Sequence, residues 1–131
     1  MFVDATVIAA MMTDEAEARA FAIRMQASTV RLTSPMAVAD AATEVASVLG
    51  LPLGDIAEAA KAFLQLMNIQ LVAVPPRAVF LALEAQATFG IGVHSASLNP
   101  EQCMTYACAR YYRQPLLFRN GGFAGTDIEI A

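Results

Sequence analysis

Apolar residues come in short runs, some at strand-like and some at helical spacing, and their succession predicts the element order. Met1-Phe-Val-Asp4 is an apolar run closed by a carboxylate. That is the pattern of a short buried strand ending at Asp4, because Phe and Val suit a strand interior and Asp is among the residues strands tolerate least. A short buried helix beginning near Ala5 is expected through Val7-Ile-Ala-Ala-Met-Met12. Thr13 then suits an N-cap, with Asp14, Glu15 and Glu17 loading a first helical turn with the negative charge a helix dipole favours, and this second helix is expected to reach about Ala27. Thr29-Val-Arg-Leu-Thr33 reads as strand two. Ser34-Pro35, a cap followed by proline at the first helical position, starts a third helix. Its apolar stripe is Val38, Ala41/Ala42, Val45 and Leu49, and Gly50 ends it as a left-handed terminator. Asp40 and Glu44 lie one turn apart on that helix, facing away from the stripe.

Pro52 and Gly54 interrupt the chain before a fourth helix, from Asp55 to about Met67. Ile69 to Val74 reads as strand three, and Pro75-Pro76 stops it and starts a fifth helix that runs to Gly90. Residues 90–99 form a loop. Asn99-Pro100 caps a sixth helix through Tyr112, and Asn99-x-x-Gln102 has the spacing of a capping box. Pro115-Leu-Leu-Phe118 is strand four, Arg119-Asn-Gly-Gly122 a turn, and Asp127-Ile-Glu-Ile130 can add a short last strand. Strands alternating with helices, without repeat or linker, imply one α/β domain over residues 1–131. Right-handed crossovers then give a mainly parallel central sheet of four to five short strands flanked by helices.

Composition narrows the setting. Hydrophobic residues make up 57% of the chain, yet no stretch approaches the roughly 20 apolar residues a membrane span requires. No basic residue precedes the first apolar run, so a secretory signal is not expected and a cytoplasmic protein is. Only 15% of residues are charged, which implies an apolar patch buried against another chain. The net charge of −4 argues against strong non-specific binding of nucleic acid by the bare monomer. It does not exclude a nuclease, because metal-site acids contribute to the count. Cys103 and Cys108 are five apart in one helix, about 140° around its axis, so they cannot easily pair and read as buried thiols.

No phosphate-binding G-x-x-x-x-G-K-[ST], no G-x-G-x-x-G after a strand and no G-x-S-x-G elbow is present. The lone His94 has no second His or Cys beside it and reads as a hydrogen bonder within its loop. Carboxylates remain: Asp4 at a strand end, Asp40 and Glu44 on one helix face, and Glu101 at the start of the sixth helix. In an open parallel sheet, ligands gather beyond the carboxyl ends of the strands. Magnesium takes oxygen ligands, often a few carboxylates and water, and such a centre can hydrolyse phosphodiesters. Each acid also has a plain structural reading. Asp4 suits a helix cap, Asp40 and Glu44 a solvated face, and Glu101 an acid at a helix N-terminus.

The order of the pieces, with the wording of four stretches, resembles the PIN-domain ribonucleases of VapC type, the toxins of VapBC toxin–antitoxin pairs. Met1-Phe-Val-Asp-Ala-Thr6 is similar to that family's opening strand, with its first metal acid at Asp4 and a hydroxyl residue at Thr6. Thr33-Ser-Pro-Met-Ala-Val-Ala-Asp40 resembles the segment presenting the second acid. His94-Ser-Ala-Ser-Leu-Asn-Pro-Glu-Gln-Cys-Met-Thr-Tyr-Ala107 is similar to H-P-A-x-L-N-F-G-D-C-x-A-Y-A. Leu116-Leu-Phe-Arg-Asn-Gly-Gly-Phe123 with Thr126-Asp-Ile128 follows L-L-F-K-G-[DN]-D-F-x-x-T-D-I. The resemblance covers essentially the whole chain. It implies a three-layer PIN-like fold, Mg2+ or Mn2+ held by Asp4 and Asp40, an RNA substrate, a homodimer, and a VapB-like antitoxin packed against the early helices.

Departures from the pattern bear on activity. The second acid, usually glutamate, falls on the shorter Asp40. The third falls on Gln102, with Glu101 next door but about 100° round the helix. The acids of the last turn fall on Gly121 and Gly122. Each lost charge forfeits roughly 8 kcal/mol of gross attraction to a divalent ion at an effective dielectric near 20. Most of that is returned by lower desolvation and repulsion, leaving a loss on the order of tenfold or more in affinity. Two functions follow. In the first, the chain is a metal-dependent endoribonuclease with weakened activity, in which Asp4 and Asp40 bind metal, Gln102 or Glu101 completes the shell, and Thr6, Arg110, Arg113 and Arg119 meet the RNA. In the second, it is an inactive PIN-like module that dimerises or binds an antitoxin or RNA without cutting. Arg110 and Arg113 also read as ordinary cations at a helix C-terminus.

Overall fold

Neighbouring residues in a strand point to opposite faces of a sheet, and in this protein that alternation divides the core in two. The computed structural model describes residues 1–13 and 15–131; Asp14, expected in the first turn of the second helix, lies outside them. Four two-residue strands, β1 (Phe2–Val3), β2 (Leu32–Thr33), β3 (Gln70–Leu71) and β4 (Leu116–Leu117), form one parallel sheet in the order β3-β2-β1-β4. Phe2 lies opposite Leu32 and Leu116, and Val3 opposite Leu117.

Phe2, Leu32 and Leu116 pack with α5 (Ala78–Phe89) and α6 (Pro100–Tyr111). Val3 and Leu117 pack on the other face with α1 (Ala5–Met12), α2 (Ala18–Gln26), α3 (Pro35–Leu49) and α4 (Leu53–Leu66). The result is the expected three-layer α/β arrangement. Small side chains let the helices approach closely: α5 buries Ala78, Ala82 and Ala85, and α6 buries Cys103, Ala107 and Ala109. Both cysteines are free and buried. No helix among the described residues is long and apolar enough to cross a membrane.

Several boundaries differ from the sequence reading. Thr13 does not open α2 but closes α1, its hydroxyl donating to the Ala9 carbonyl at 2.9 Å. Among the described residues, α2 starts only at Ala18, and Glu17 precedes it without a side-chain cap. Strand three shrinks to exposed Gln70 and Leu71 at the sheet edge, where Pro75 and Pro76 follow closely and α5 begins only at Ala78. The last strand reduces to a single parallel bridge, Leu116 to Ile130. Helix α3 forms as expected. The Ser34 hydroxyl accepts from the Ala37 N–H at 3.1 Å, Pro35 is its first residue, and Gly50 ends it at φ 64°.

Candidate active site

The carboxyl ends of β1, β2 and β4 meet along one edge of the sheet, and the residues that follow each strand build the site. Helix α1 begins directly after β1, leaving Asp4 at the junction in an extended conformation. Asp4 is buried, at 6% exposure, and its Oδ2 accepts from the Thr6 backbone N–H at 3.1 Å and from the Thr6 hydroxyl at 2.5 Å. The structural and chemical readings of Asp4 therefore coincide in one side chain: it is the cap of α1 and also the acid at the sheet edge. The Thr6 hydroxyl in turn accepts the Arg119 backbone N–H, just beyond β4, at 3.1 Å. That bond fixes the hydroxyl as a donor toward Asp4 and ties the ends of β1 and β4 together.

Asp40 reaches the same region from α3, which is capped by Ser34 immediately after β2 and packs against α1. Its side chain is exposed. Burial pushes the Asp4 carboxyl above the ordinary carboxylate range; the Thr6 bonds pull it back, and the nearby charge of Asp40 pushes it further up. Among the described residues neither acid has a basic partner within ion-pair distance. Glu44 and Glu101 are both exposed. No three Asp, Glu, His or Cys side chains converge among the described residues, so neither glutamate completes a three-acid cluster with Asp4 and Asp40.

Gln102 is the third residue of α6, in its first turn, and belongs to a complete capping box. Its Oε1 accepts from the Asn99 N–H at 2.9 Å, and its own N–H donates to Asn99 Oδ1 at 2.8 Å. Its Nε2 lies against the last turn, 3.1 Å from where a Cβ on Gly121 would stand. Gly121 has φ +105°, and a Cβ on Gly122 would fall 1.8 Å from the Ala96 carbonyl oxygen. Glycine is therefore required at Gly122 by close approach of backbone, and at Gly121 by conformation. Gly121 is two residues from Arg119, at most about 7 Å along an extended chain. A continuous path thus runs from Gln102 through the turn and Thr6 to Asp4.

The arginines do not gather here. Arg119 contributes its backbone, while its guanidinium pairs with Glu15 and with Glu17, the latter at 3.4 Å. Arg110 lies 3.7 Å from Asp127 and 5.7 Å from the centre of the Tyr106 ring. At 1.5 Å rise per residue, Arg110 stands about 12 Å along α6 from Gln102, and Arg113 lies beyond the helix, which ends at Tyr111. The Tyr106 hydroxyl donates to Asp127 at 2.6 Å, and burial, helped by that bond, pushes the phenol up to about 12. His94 accepts the Ala96 N–H on Nδ1 at 3.0 Å, in keeping with a role inside its loop. Sequence reasoning missed the Thr6–Arg119 link and the packing of both glycines. The adjacent glycines were its only trace.

A second feature lies away from the acids. Helices α3 and α4 and strand β3 bound an apolar groove of about 990 Å³, lined by Val38, Ala42, Leu53, Ala57, Leu64 and Leu71 among others.

Comparison with known proteins gives a consistent picture. The family model described as PIN domain matches residues 1–129. The chain is similar to ribonuclease VapC30 of Mycobacterium tuberculosis, 33% identical over 98% of this chain and 95% of the relative. It is also similar to a ribonuclease VapC of Mycolicibacterium smegmatis, 31% identical over 98% of this chain and 97% of the relative. A crystal structure of Mycobacterium tuberculosis VapC20, titled a sarcin–ricin loop cleaving toxin, superposes with TM-score 0.73 at 19% identity, covering 99% of this chain and 97% of that one. At that identity the likeness is one of fold.

Proposed function

This chain belongs to the PIN-domain family, and from that premise we propose that it is a VapC-type toxin that hydrolyses RNA phosphodiesters at Asp4 and Asp40 with Mg2+ or Mn2+. One observation carries the reading: a buried carboxylate, Asp4, stands beside the charge of Asp40 with no basic partner among the described residues. Two unpaired acids at a sheet edge fit a divalent cation, since magnesium is commonly bound by one or two carboxylates with the remaining positions left to water and substrate phosphates. Asp4 and Asp40 would hold the ion, with Gln102 at the far side of the turn; when bound, it neutralises phosphate charge and activates water for attack.

The chain's own residues prepare that site. Thr6 fixes the Asp4 carboxylate by committing Oδ2, and the Arg119 N–H fixes Thr6. Burial of Asp4 lowers the local dielectric, which strengthens its attraction for a cation. Exposed Asp40 leaves the approach open to a polymer substrate. The toxin acts in the cytoplasm as a homodimer, and a VapB-like antitoxin segment occupies the α3–α4 groove, whose apolar lining supports such a partner.

The uncharged Gln102, Gly121 and Gly122 favour a second reading, a PIN-like binding module that no longer cuts. Incubation of the purified protein with end-labelled RNA separates the two. Cleavage that requires Mg2+ or Mn2+, stops with chelator and resumes on re-addition is the expected result. Intact RNA at every metal concentration would leave only the binding module.

A further inference from the structure

We propose that the Arg119 guanidinium is a phosphate-binding group masked by its own chain, and that the RNA backbone displaces Glu15 and Glu17 from it. The inference rests on the RNA-binding part of the function proposed above and concerns how RNA is admitted beside the acids.

Arg119 is engaged at both ends. Its backbone N–H donates to the Thr6 hydroxyl at 3.1 Å, and that hydroxyl donates to Asp4, so the residue is anchored two hydrogen bonds from the buried acid. RNA phosphates flank any phosphodiester held at Asp4, and an arginine anchored there is placed to meet one. The guanidinium is turned instead to the segment between α1 and α2, where it pairs with Glu15 and, at 3.4 Å, with Glu17. Two carboxylates outweigh one cation. The pairing therefore hides the positive charge and leaves a negative one in its place.

The contact can exchange at little cost. The Arg119 side chain is 26% exposed and that of Glu17 47%, and ion pairs in contact with water contribute little and are screened by salt. A phosphate offers arginine the same forked, charge-assisted bonding that the carboxylates do. Both glutamates keep a favourable place once released. Glu17 stands directly before α2, which has no side-chain cap, and a carboxylate there is stabilised by the helix N-terminus. Glu15 already accepts from the Thr13 hydroxyl at 3.3 Å.

The test is fluorescence anisotropy of an end-labelled phosphorothioate RNA, shown by gel to stay intact, titrated with the full chain at fixed Mg2+. Four proteins form a cycle: the unaltered chain, Glu15→Gln with Glu17→Gln, Arg119→Gln, and all three changes together, each checked for folding by circular dichroism. The paired glutamine variant is expected to bind RNA about tenfold tighter, the scale of one charge-assisted hydrogen bond set free. Arg119→Gln is expected to remove most of that gain, and to cost the unaltered chain less than it costs the paired variant. Glu17→Gln alone is expected to give a smaller gain of the same sign, and it takes the place of the paired variant if that one does not fold. An equal gain with and without Arg119 would mean that the glutamates act only through bulk charge, and would overturn the inference. Unchanged or weaker binding by the glutamine variants overturns it too, as does binding by none of the four. Metal-dependent cleavage by the unaltered chain in a parallel assay would then show that the ribonuclease reading stands without it.

Discussion

Asp4 is buried as a carboxylate beside a second acid, so its ionised form is less well accommodated in the folded chain than in the unfolded one. Its folded value lies above the ordinary range. The stability it contributes is therefore fully present below the unfolded carboxylate pKa and is lost as pH rises through the raised one. Asparagine caps a helix about as well as aspartate and carries no charge. Asp4→Asn is thus expected to raise the urea midpoint at pH 7 relative to the unaltered chain, and to raise it less at about pH 3.5, where Asp4 is mostly protonated in both states. A larger gain at the acid end would contradict this placement. Asp4 could be found from the sequence because an acid ending an apolar run marks a strand end. Its network could not, since the Thr6–Arg119 bond joins residues 113 apart, a separation no local pattern records.

At the scale of elements, caps with short sequence spacing were legible and those decided by tertiary contacts were not. Ser34-Pro35, Gly50 and the Asn99–Gln102 box all formed where their spacing placed them. Thr13 has the chemistry of an N-cap, but its hydroxyl closes α1, and Glu15 and Glu17 are drawn to Arg119 beyond β4. The glycine turn shows the same limit: its composition was plain, its contact with Ala96 was not. Restoring the family acid by Gly122→Asp would drive a Cβ into the Ala96 carbonyl oxygen, 1.8 Å away. We expect a loss of about 1–3 kcal/mol, as for other overpacked sites, measured by urea unfolding, with no gain in RNA cleavage. Unchanged stability would mean that the turn has room the structure does not show.

Across the whole molecule, two helical layers cover the sheet, yet the outer faces remain rich in large apolar side chains. Val48, Leu49, Leu51, Leu53 and Leu66 on or beside α3 and α4 are all exposed, close in sequence to the residues lining the groove. The low charge content announced such a surface; the groove itself appears only when α3 and α4 pack. If it receives an antitoxin segment, Ala57→Glu places a charge in its lining, where an exposed position tolerates the change. That substitution is expected to weaken association with the cognate antitoxin by tenfold or more, about 1.4 kcal/mol, with RNA cleavage by the free toxin unchanged. Calorimetry against the antitoxin checks it, and undiminished affinity would move the partner elsewhere. If Asp4 and Asp40 alone form a working acidic centre, both are needed for initial rates of cleavage of one end-labelled RNA at high Mg2+, measured for the unaltered chain, Asp4→Asn and Asp40→Asn after each is shown to be folded. Both variants are expected to lose about a hundredfold or more, roughly 2.7 kcal/mol of transition-state stabilisation; cleavage by folded Asp4→Asn at the unaltered rate would contradict the claim.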